Sequence, residues 1–372
     1  MRVFFWTEMF WPYIGGIEVL SAGLLGKLQA RGHHVVVVTS HLDGMDLPDV
    51  ESHQGIEVHR FRFREPFSRK DPAGIVRVRK QLADLKHSFA PDLVHLHFSG
   101  PSAYYHLATA HVQACPCLVT IHTWLPELAG HPDTLAARVL ESANWVTAVS
   151  RSVLDNVRRL AASVTPHSSV IYNGLESPGV TPVQLPWRPP RLLCMGRLLT
   201  KKGFDLALAA HAMLRTRYPA LRLVVAGDGP ARPDLERLAA ELAGGEGVEF
   251  VGWVSPKDVP SLLNQATIVL VPSRWDEPFC LVALEAALMA RPVVATRVGG
   301  LTEVVVEGGT GLLVPREDAA AMAEGIRALL DRPEYAARLG QTGRQTALER
   351  FSLDRAADAY DSLYRQMAPQ PG

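Results

Sequence analysis

Two glutamates eight positions apart, Glu277 and Glu285, stand in the stretch EPFCLVALEAALMARP, the first before an apolar run and the second inside it. An ionised carboxylate among leucines and alanines is costly unless something bonds to it. A polyol such as a ribose could supply two hydroxyl donors, which makes Glu285 a candidate ligand group. A surface glutamate on an amphipathic helix is the commoner fate and the competing reading. Pro278 favours a helix start, so the backbone N–H groups of Phe279, Cys280 and Leu281 are expected near a helix N-terminus. Glu277 then hangs just outside that terminus, and Glu285 lies about two turns in.

A second group of residues suits an anion. GRLLTKKG supplies Arg197, Lys201 and Lys202 just after a strand-like run, and lysine is scarce here, with seven among 38 basic residues. A planar guanidinium and a point charge beside a helix start would fit a diphosphate, and a solvated turn is the bland alternative. GDGP, Gly227 to Pro230, makes a tight turn and is weak alone. In IGGIE, Gly15 and Gly16 lead into a helix and let a ligand approach the backbone. No G-x-G-x-x-G occurs, so this is not a dinucleotide fingerprint. His95 and His97 in VHLHF share a strand face and could begin a metal site with His122. Three strand ends would have to converge for that, and packed histidines are the simpler reading. No D-x-D is present to hold a divalent cation. Neither a metal nor a cofactor is expected.

These residues need elements to position them. Short β-branched runs alternate with helical patterns: RVFFW, HVVVVTS, GIEVHRFRF, PDLVHLHF, CLVTIH and WVTAVS in the first half, then RLLCMG, LRLVVAG, VEFVG, TIVLVPS, PVVATRV and GLLV in the second. Near-continuous apolar strands separated by helices predict parallel sheets covered on both faces. Between the halves, the proline- and glycine-rich residues 176–190 have no apolar period and read as a linker. The expected organisation is a first domain at 1–175, the linker, a second domain at 191–350, and a helical tail at 351–372. Ligands of doubly wound sheets bind beyond the carboxyl ends of the strands, so a cleft between the domains is the default site.

Composition narrows the classes. At 372 residues, two domains are natural, and zero formal net charge leaves no global field to recruit nucleic acid. Four cysteines without a C-x-x-C pair fit a reduced, cytoplasmic protein. The apolar burst before Glu8 is too short for a signal-peptide core, and no run reaches the roughly 18 apolar residues of a spanning helix. Residues 59–80 carry eight Lys and Arg against two acidic residues, with Phe61, Phe63 and Phe67 among them. Such a run could touch an anionic membrane surface weakly, at the inner face, or an acidic acceptor; a solvated face is the better reading.

In order along the chain, GGIE, GRL..KKG, GDGP, EPFCLVALEAALMARPVVAT, VGG..E and GTGLLV resemble the retaining nucleotide-sugar glycosyltransferases of family 4, the group of glycogen synthase and the phosphatidylinositol mannosyltransferases. The resemblance runs from Gly15 to about Val314. It implies an α/β chain of GT-B fold, two Rossmann-like domains facing a central cleft, with the tail helix crossing back to the first. It implies metal-independent transfer of a hexosyl unit from a nucleotide diphosphate sugar to an acceptor hydroxyl, with retention. Residue by residue, it places Glu277 on the donor sugar and Glu285 on the ribose. Arg197 and Lys202 neutralise the diphosphate, Gly15 and Gly16 close over the phosphates, His122 lies near the sugar, and the backbone at Val254 meets the base. Phe279, Cys280 and Leu281 complete the donor set. Cys280 stands where many members have glycine, and Glu176 where aspartate is more usual. The resemblance implies nucleotide-sugar binding for the second domain and acceptor binding for the first; the acceptor is a carbohydrate, a lipid or a small molecule, with Met9 to Gly16 and the basic run as its candidate surfaces. Two alternatives share the fold: a non-hydrolysing nucleotide-sugar epimerase, which lacks the E-x7-E pair, and a non-catalytic sugar-nucleotide-binding protein, against which the intact charged set argues.

Overall fold

The run Arg2–Thr7 is buried along almost its whole length, as a strand covered on both faces must be. It forms β1 of a first unit that continues with α1 (Gly16–Ala30), β2 (His34–Ser40), β3 (Val50–His53), β4 (Ile56–Phe61), α2 (Glu65–Ser68), α3 (Pro72–Phe89), β5 (Leu93–Phe98), α4 (Ser102–Ala108), β6 (Cys117–Ile121), α5 (Leu135–Ser142), β7 (Trp145–Ala148), α6 (Arg151–Leu160) and β8 (Ser168–Val170). A second unit holds β9 (Arg191–Met195), α7 (Phe204–Leu214), β10 (Arg222–Ala226), α8 (Arg232–Ala243), β11 (Val248–Gly252), α9 (Val259–Asn264), β12 (Ile268–Val271), α10 (Leu281–Leu288), β13 (Val293–Thr296), α11 (Leu301–Val304), β14 (Gly311–Val314), α12 (Ala319–Leu330) and α13 (Pro333–Arg350). The last helix, α14 (Leu353–Met367), belongs to the first unit. The computed structural model describes residues 1–368 apart from 14, 42–43, 99 and 244–245.

The first sheet runs β3-β4-β2-β1-β5-β6-β7-β8, parallel except for the edge hairpin β3–β4. That hairpin turns through Gln54 and Gly55, both at positive φ, a turn that matches strand twist. The apolar pattern missed β3 because its residues, VESH, alternate exposed and half-buried on an edge. It also missed the three-residue β8. Helix α14 lays Leu353, Ala357, Tyr360, Leu363 and Tyr364 into the same core as Leu24, Leu25 and Leu28 of α1. The second sheet is wholly parallel in the order β11-β10-β9-β12-β13-β14. Counted from β9, that is the doubly wound order 3-2-1-4-5-6, with its switch point between β9 and β12.

Residues 176–190, read above as a linker, are packed on the second unit. Buried Arg291 lacks a carboxylate partner among the described residues and takes carbonyl acceptors instead: Ala266 at 3.0 Å, Met289 at 2.8 Å and Val183. Burial lowers its pKa to about 10. Asn264 holds the same stretch from both sides, accepting from the Val183 N–H at 3.1 Å and donating to the Thr181 carbonyl at 3.0 Å. Leu185 and Trp187 pack against the core of β9, β10 and α7. A polar-looking segment is thus fixed by a buried cation that needs its carbonyls.

Candidate functional site

The loops after β9 and β12 leave the sheet side by side, because those strands are hydrogen-bonded neighbours at the switch point. The β9 loop carries Arg197 and Lys202, and the β12 loop carries Ser273 to Glu277. Gly203, at φ +70, lets them meet: a Cβ there would stand 2.0 Å from the Pro272 carbonyl oxygen. The Lys202 ammonium donates to the Glu277 Oε1 at 2.7 Å, and the Ser273 hydroxyl donates to the same oxygen at 2.5 Å. Glu277 is 3% exposed, so its charge is compensated where water scarcely reaches. Its carbonyl accepts from the Gly300 N–H at 2.7 Å, and a Cβ on Gly299, at φ +42, would come within 2.5 Å of that oxygen. The VGG motif is therefore a clamp on the backbone of Glu277.

The β12 loop is braced from several directions. Arg274 binds Asp205 through two parallel bonds at 2.5 Å, pairs with Glu317 at 2.7 Å, and donates its N–H to the Lys201 carbonyl. Thr296 donates to the Ser273 carbonyl at 2.6 Å. Lys201 lies over the Trp275 ring at 3.6 Å and Lys202 at 5.6 Å, so the ring sits against both ammonium groups while Lys202 also reaches Glu277. Ser273, Arg274, Trp275 and Asp205 escaped the sequence reading as site residues, and Gly299 was seen only as part of VGG..E. The signal available for them was the charged and aromatic SRWDE directly after a strand.

Helix α10 begins at Leu281, three residues past Pro278, because Cys280 takes φ +83 and cannot join the helix. Glu285 consequently sits little more than one turn inside, not two. No side chain caps this terminus, so the first N–H groups are left for another acceptor. Phe279 is buried and meets the Phe351 ring edge-on at 5.5 Å. Cys280 and Leu281 are half-buried. Burial and then the charge of Glu277 push the Cys280 thiol up to about 12, which keeps it protonated and unreactive.

Glu285 answers the question its neighbours raise. Among the described residues its carboxylate has no hydrogen-bond or ion-pair partner, and burial raises its pKa to about 7. It is a half-buried carboxyl group that keeps part of its proton at neutral pH. Val254 is half-buried just beyond β11, next to Trp253, which is 61% exposed. Arg197 is exposed on the β9 loop.

Gly15, Gly16 and His122 belong to the first unit. Gly15 is the N-cap of α1, with no side-chain cap, and Gly16 opens the helix. His122 Nε2 shares a hydrogen bond with His97 Nδ1 at 3.1 Å, and burial lowers its pKa to about 4. His95 is committed at both nitrogens, to the Tyr364 hydroxyl at 2.6 Å and to Thr120 at 2.7 Å. The three histidines are thus packed and neutral, His97 bonded to His122 and in edge contact with the His95 ring at 4.7 Å. No group of three or more His, Cys, Asp or Glu among the described residues is arranged to hold a metal ion. No helix there is long and apolar enough to cross a membrane.

Comparison with known proteins matches both halves of the chain. Residues 14–178 match the model described as Glycosyltransferase Family 4, and residues 182–346 match Glycosyl transferases group 1. A glycogen synthase of Mycobacterium tuberculosis is 30% identical over 97% of this chain and 95% of its own length. An alpha-D-kanosaminyltransferase of Streptomyces kanamyceticus is 29% identical over 78% of this chain and 79% of its own. Among solved structures, sucrose-phosphate synthase from Thermosynechococcus elongatus matches with a TM-score of 0.84 at 27% identity, over 98% of both chains.

Proposed function

The chain belongs to glycosyltransferase family 4, and on that premise we propose which of its residues carry the transfer. It is a retaining hexosyltransferase that moves a sugar from a nucleotide diphosphate to an acceptor hydroxyl. Leaving-group stabilisation is the main lever: Arg197, Lys202 and the uncapped terminus of α10 at Phe279, Cys280 and Leu281 take the charge that develops on the diphosphate. Glu277 holds hydroxyls of the donor sugar, and Glu285 accepts from the ribose hydroxyls. Gly15 and Gly16 offer backbone N–H groups to the phosphates, His122 attends the sugar, and the backbone at Val254 meets the base.

The observation that carries this reading is the bond between Lys202 and buried Glu277 at the switch point of the second sheet. One carboxylate oxygen is saturated by Lys202 and Ser273, which orients the other toward a ligand. A lysine shared between that carboxylate and the diphosphate couples sugar placement to charge neutralisation. Cation charge supplied by side chains fits a reaction that proceeds without a divalent ion. The donor test is thermal unfolding with UDP-, GDP-, ADP- and TDP-glucose, since a ligand that binds only the folded state raises the midpoint according to its affinity. One nucleotide should stand out; a panel without any shift would overturn the donor assignment.

A further inference from the structure

The carboxyl ends of β2 and β4 open, beside α2 and α3, onto a cavity of about 500 Å³ in the first unit. We propose that this cavity is the acceptor site and that its acceptor is a neutral polyhydroxyl molecule, a carbohydrate, not a phosphate ester or a membrane surface. The inference rests on the glycosyltransferase reading above and adds the class of the second substrate.

Size and place come first. The volume suits a small organic ligand, and ligands of parallel sheets bind beyond the carboxyl ends of the strands. Arg60 in its wall is 3% exposed and donates to the Trp11 carbonyl at 2.6 Å and the Pro48 carbonyl at 3.3 Å. Just past β4, Arg64 donates to buried Glu8 at 2.8 Å. Trp11 and Glu8 lie in the loop that runs on to Gly15 and Gly16, so the cavity wall is tied to the glycine loop.

Charge decides the class of ligand. The sequence shows a basic run, but the fold sets most of it against carboxylates. Arg62 and Arg69 both meet Glu65, at 3.5 and 2.7 Å, Arg77 lies 3.6 Å from Asp71, and Arg60 pairs with Glu51. His41 bonds Asp49 at 2.7 Å. Lys70, Arg79 and Lys80 have no carboxylate partner among the described residues, and they lie outside the lining. The wall thus presents guanidinium donors interleaved with carboxylate acceptors and almost no net charge. A phosphate needs donors without nearby carboxylates, and a membrane surface rewards unpaired cations. A hydroxyl both donates and accepts, and a row of hydroxyls matches alternating groups of this kind.

The test uses the full chain with the donor selected by thermal shift. Transfer to maltose, trehalose and myo-inositol is compared with transfer to glucose 6-phosphate, and sedimentation with phosphatidylglycerol and phosphatidylcholine vesicles runs in parallel. A neutral compound should be the acceptor used. Glu65→Gln and Arg69→Ala, both at accessible positions, should raise its KM at least tenfold while melting behaviour and affinity for the nucleotide diphosphate stay as in wild type. Preference for glucose 6-phosphate, failure of all three neutral compounds, unchanged KM in both variants, or vesicle binding that Arg69→Ala abolishes would each overturn the proposal. If wild type also fails to bind any nucleotide sugar, the donor reading falls with it; if donor binding persists, only the acceptor site is wrong.

Discussion

Replacing Glu285 with glutamine should make the ligand-free protein gain stability on wild type as pH rises and weaken its hold on nucleotide, two opposite effects from one carboxylate. Burial raises the folded pKa from 4.5 to about 7, and no partner offsets the cost. Well below pH 4.5 both folded and unfolded chains keep the proton, so the group has no effect on stability. Between 4.5 and 7 the unfolded chain releases a proton that the folded chain retains, so stability falls as pH rises and levels off above 7. The gap corresponds to about 3 kcal/mol, and partial solvent access brings the expected figure to roughly 1.5–3 kcal/mol. Glutamine has no such slope. Its own unpaired amide costs the same at every pH, so the informative quantity is the change in the difference between variant and wild type. Urea unfolding followed by tryptophan fluorescence at pH 5 and pH 8 should show the variant gaining about that much relative to wild type. Ribose hydroxyls donate to the ionised form, so nucleotide diphosphate should bind wild type more tightly as pH rises through 7 and release up to about one proton at pH 6. Calorimetry in two buffers of different ionisation enthalpy measures that proton. The variant should release about one proton fewer than wild type, keeping only the proton that the diphosphate itself gives up, and bind about 1.5–3 kcal/mol more weakly. A stability difference that is flat with pH, together with unaltered nucleotide affinity, would make Glu285 an ordinary surface glutamate and refute the argument.

Glu277→Gln should lower turnover on the order of 10²-fold with little change in affinity for free nucleotide diphosphate, because that ligand has no sugar to orient; equal losses in turnover and nucleotide affinity would contradict the assignment. Arg197→Ala and Lys202→Ala should each cut turnover by about 10²-fold. Lys202→Ala should also lower the melting temperature, since it strands the buried Glu277 carboxylate, and scanning calorimetry measures that loss. Cys280→Gly should raise stability by about 0.5–1 kcal/mol, as glycine relieves a φ of +83 that disfavours any side chain. Denaturant midpoints test this, and a destabilised variant would mean that the thiol packs better than the backbone strain costs.

Among the described residues, twelve of the fourteen strands were legible as apolar runs, because most parallel strands are buried on both faces and leave an unbroken hydrophobic record. The missing β3 and β8 are an edge hairpin strand and a three-residue run, where pairing to a neighbour, not composition, makes the strand. The spacing of Glu277 and Glu285 and the Lys201–Lys202 pair were likewise visible in the chain, since chemistry-bearing residue types cluster after strand ends. What the residues could not state is who answers whom. Lys202 and Glu277 are 75 positions apart and meet only because β9 and β12 are neighbours at the switch point. Cys280 looked like a residue of the helix start, and only the backbone reveals that it holds a positive φ and delays α10 to Leu281. The clearest case is the run from His59 to Lys80, basic as a string of letters. Its guanidinium groups find Glu51 on the hairpin, Glu8 after β1 and Glu65 and Asp71 close at hand, so the surface charge it carries is set by partners gathered from separate strands. Hydrophobic periodicity is a local property and survives in one dimension. Charge compensation, backbone strain and the partner of a buried carboxylate depend on distances of a few ångströms between remote segments, and those exist only once the chain has folded.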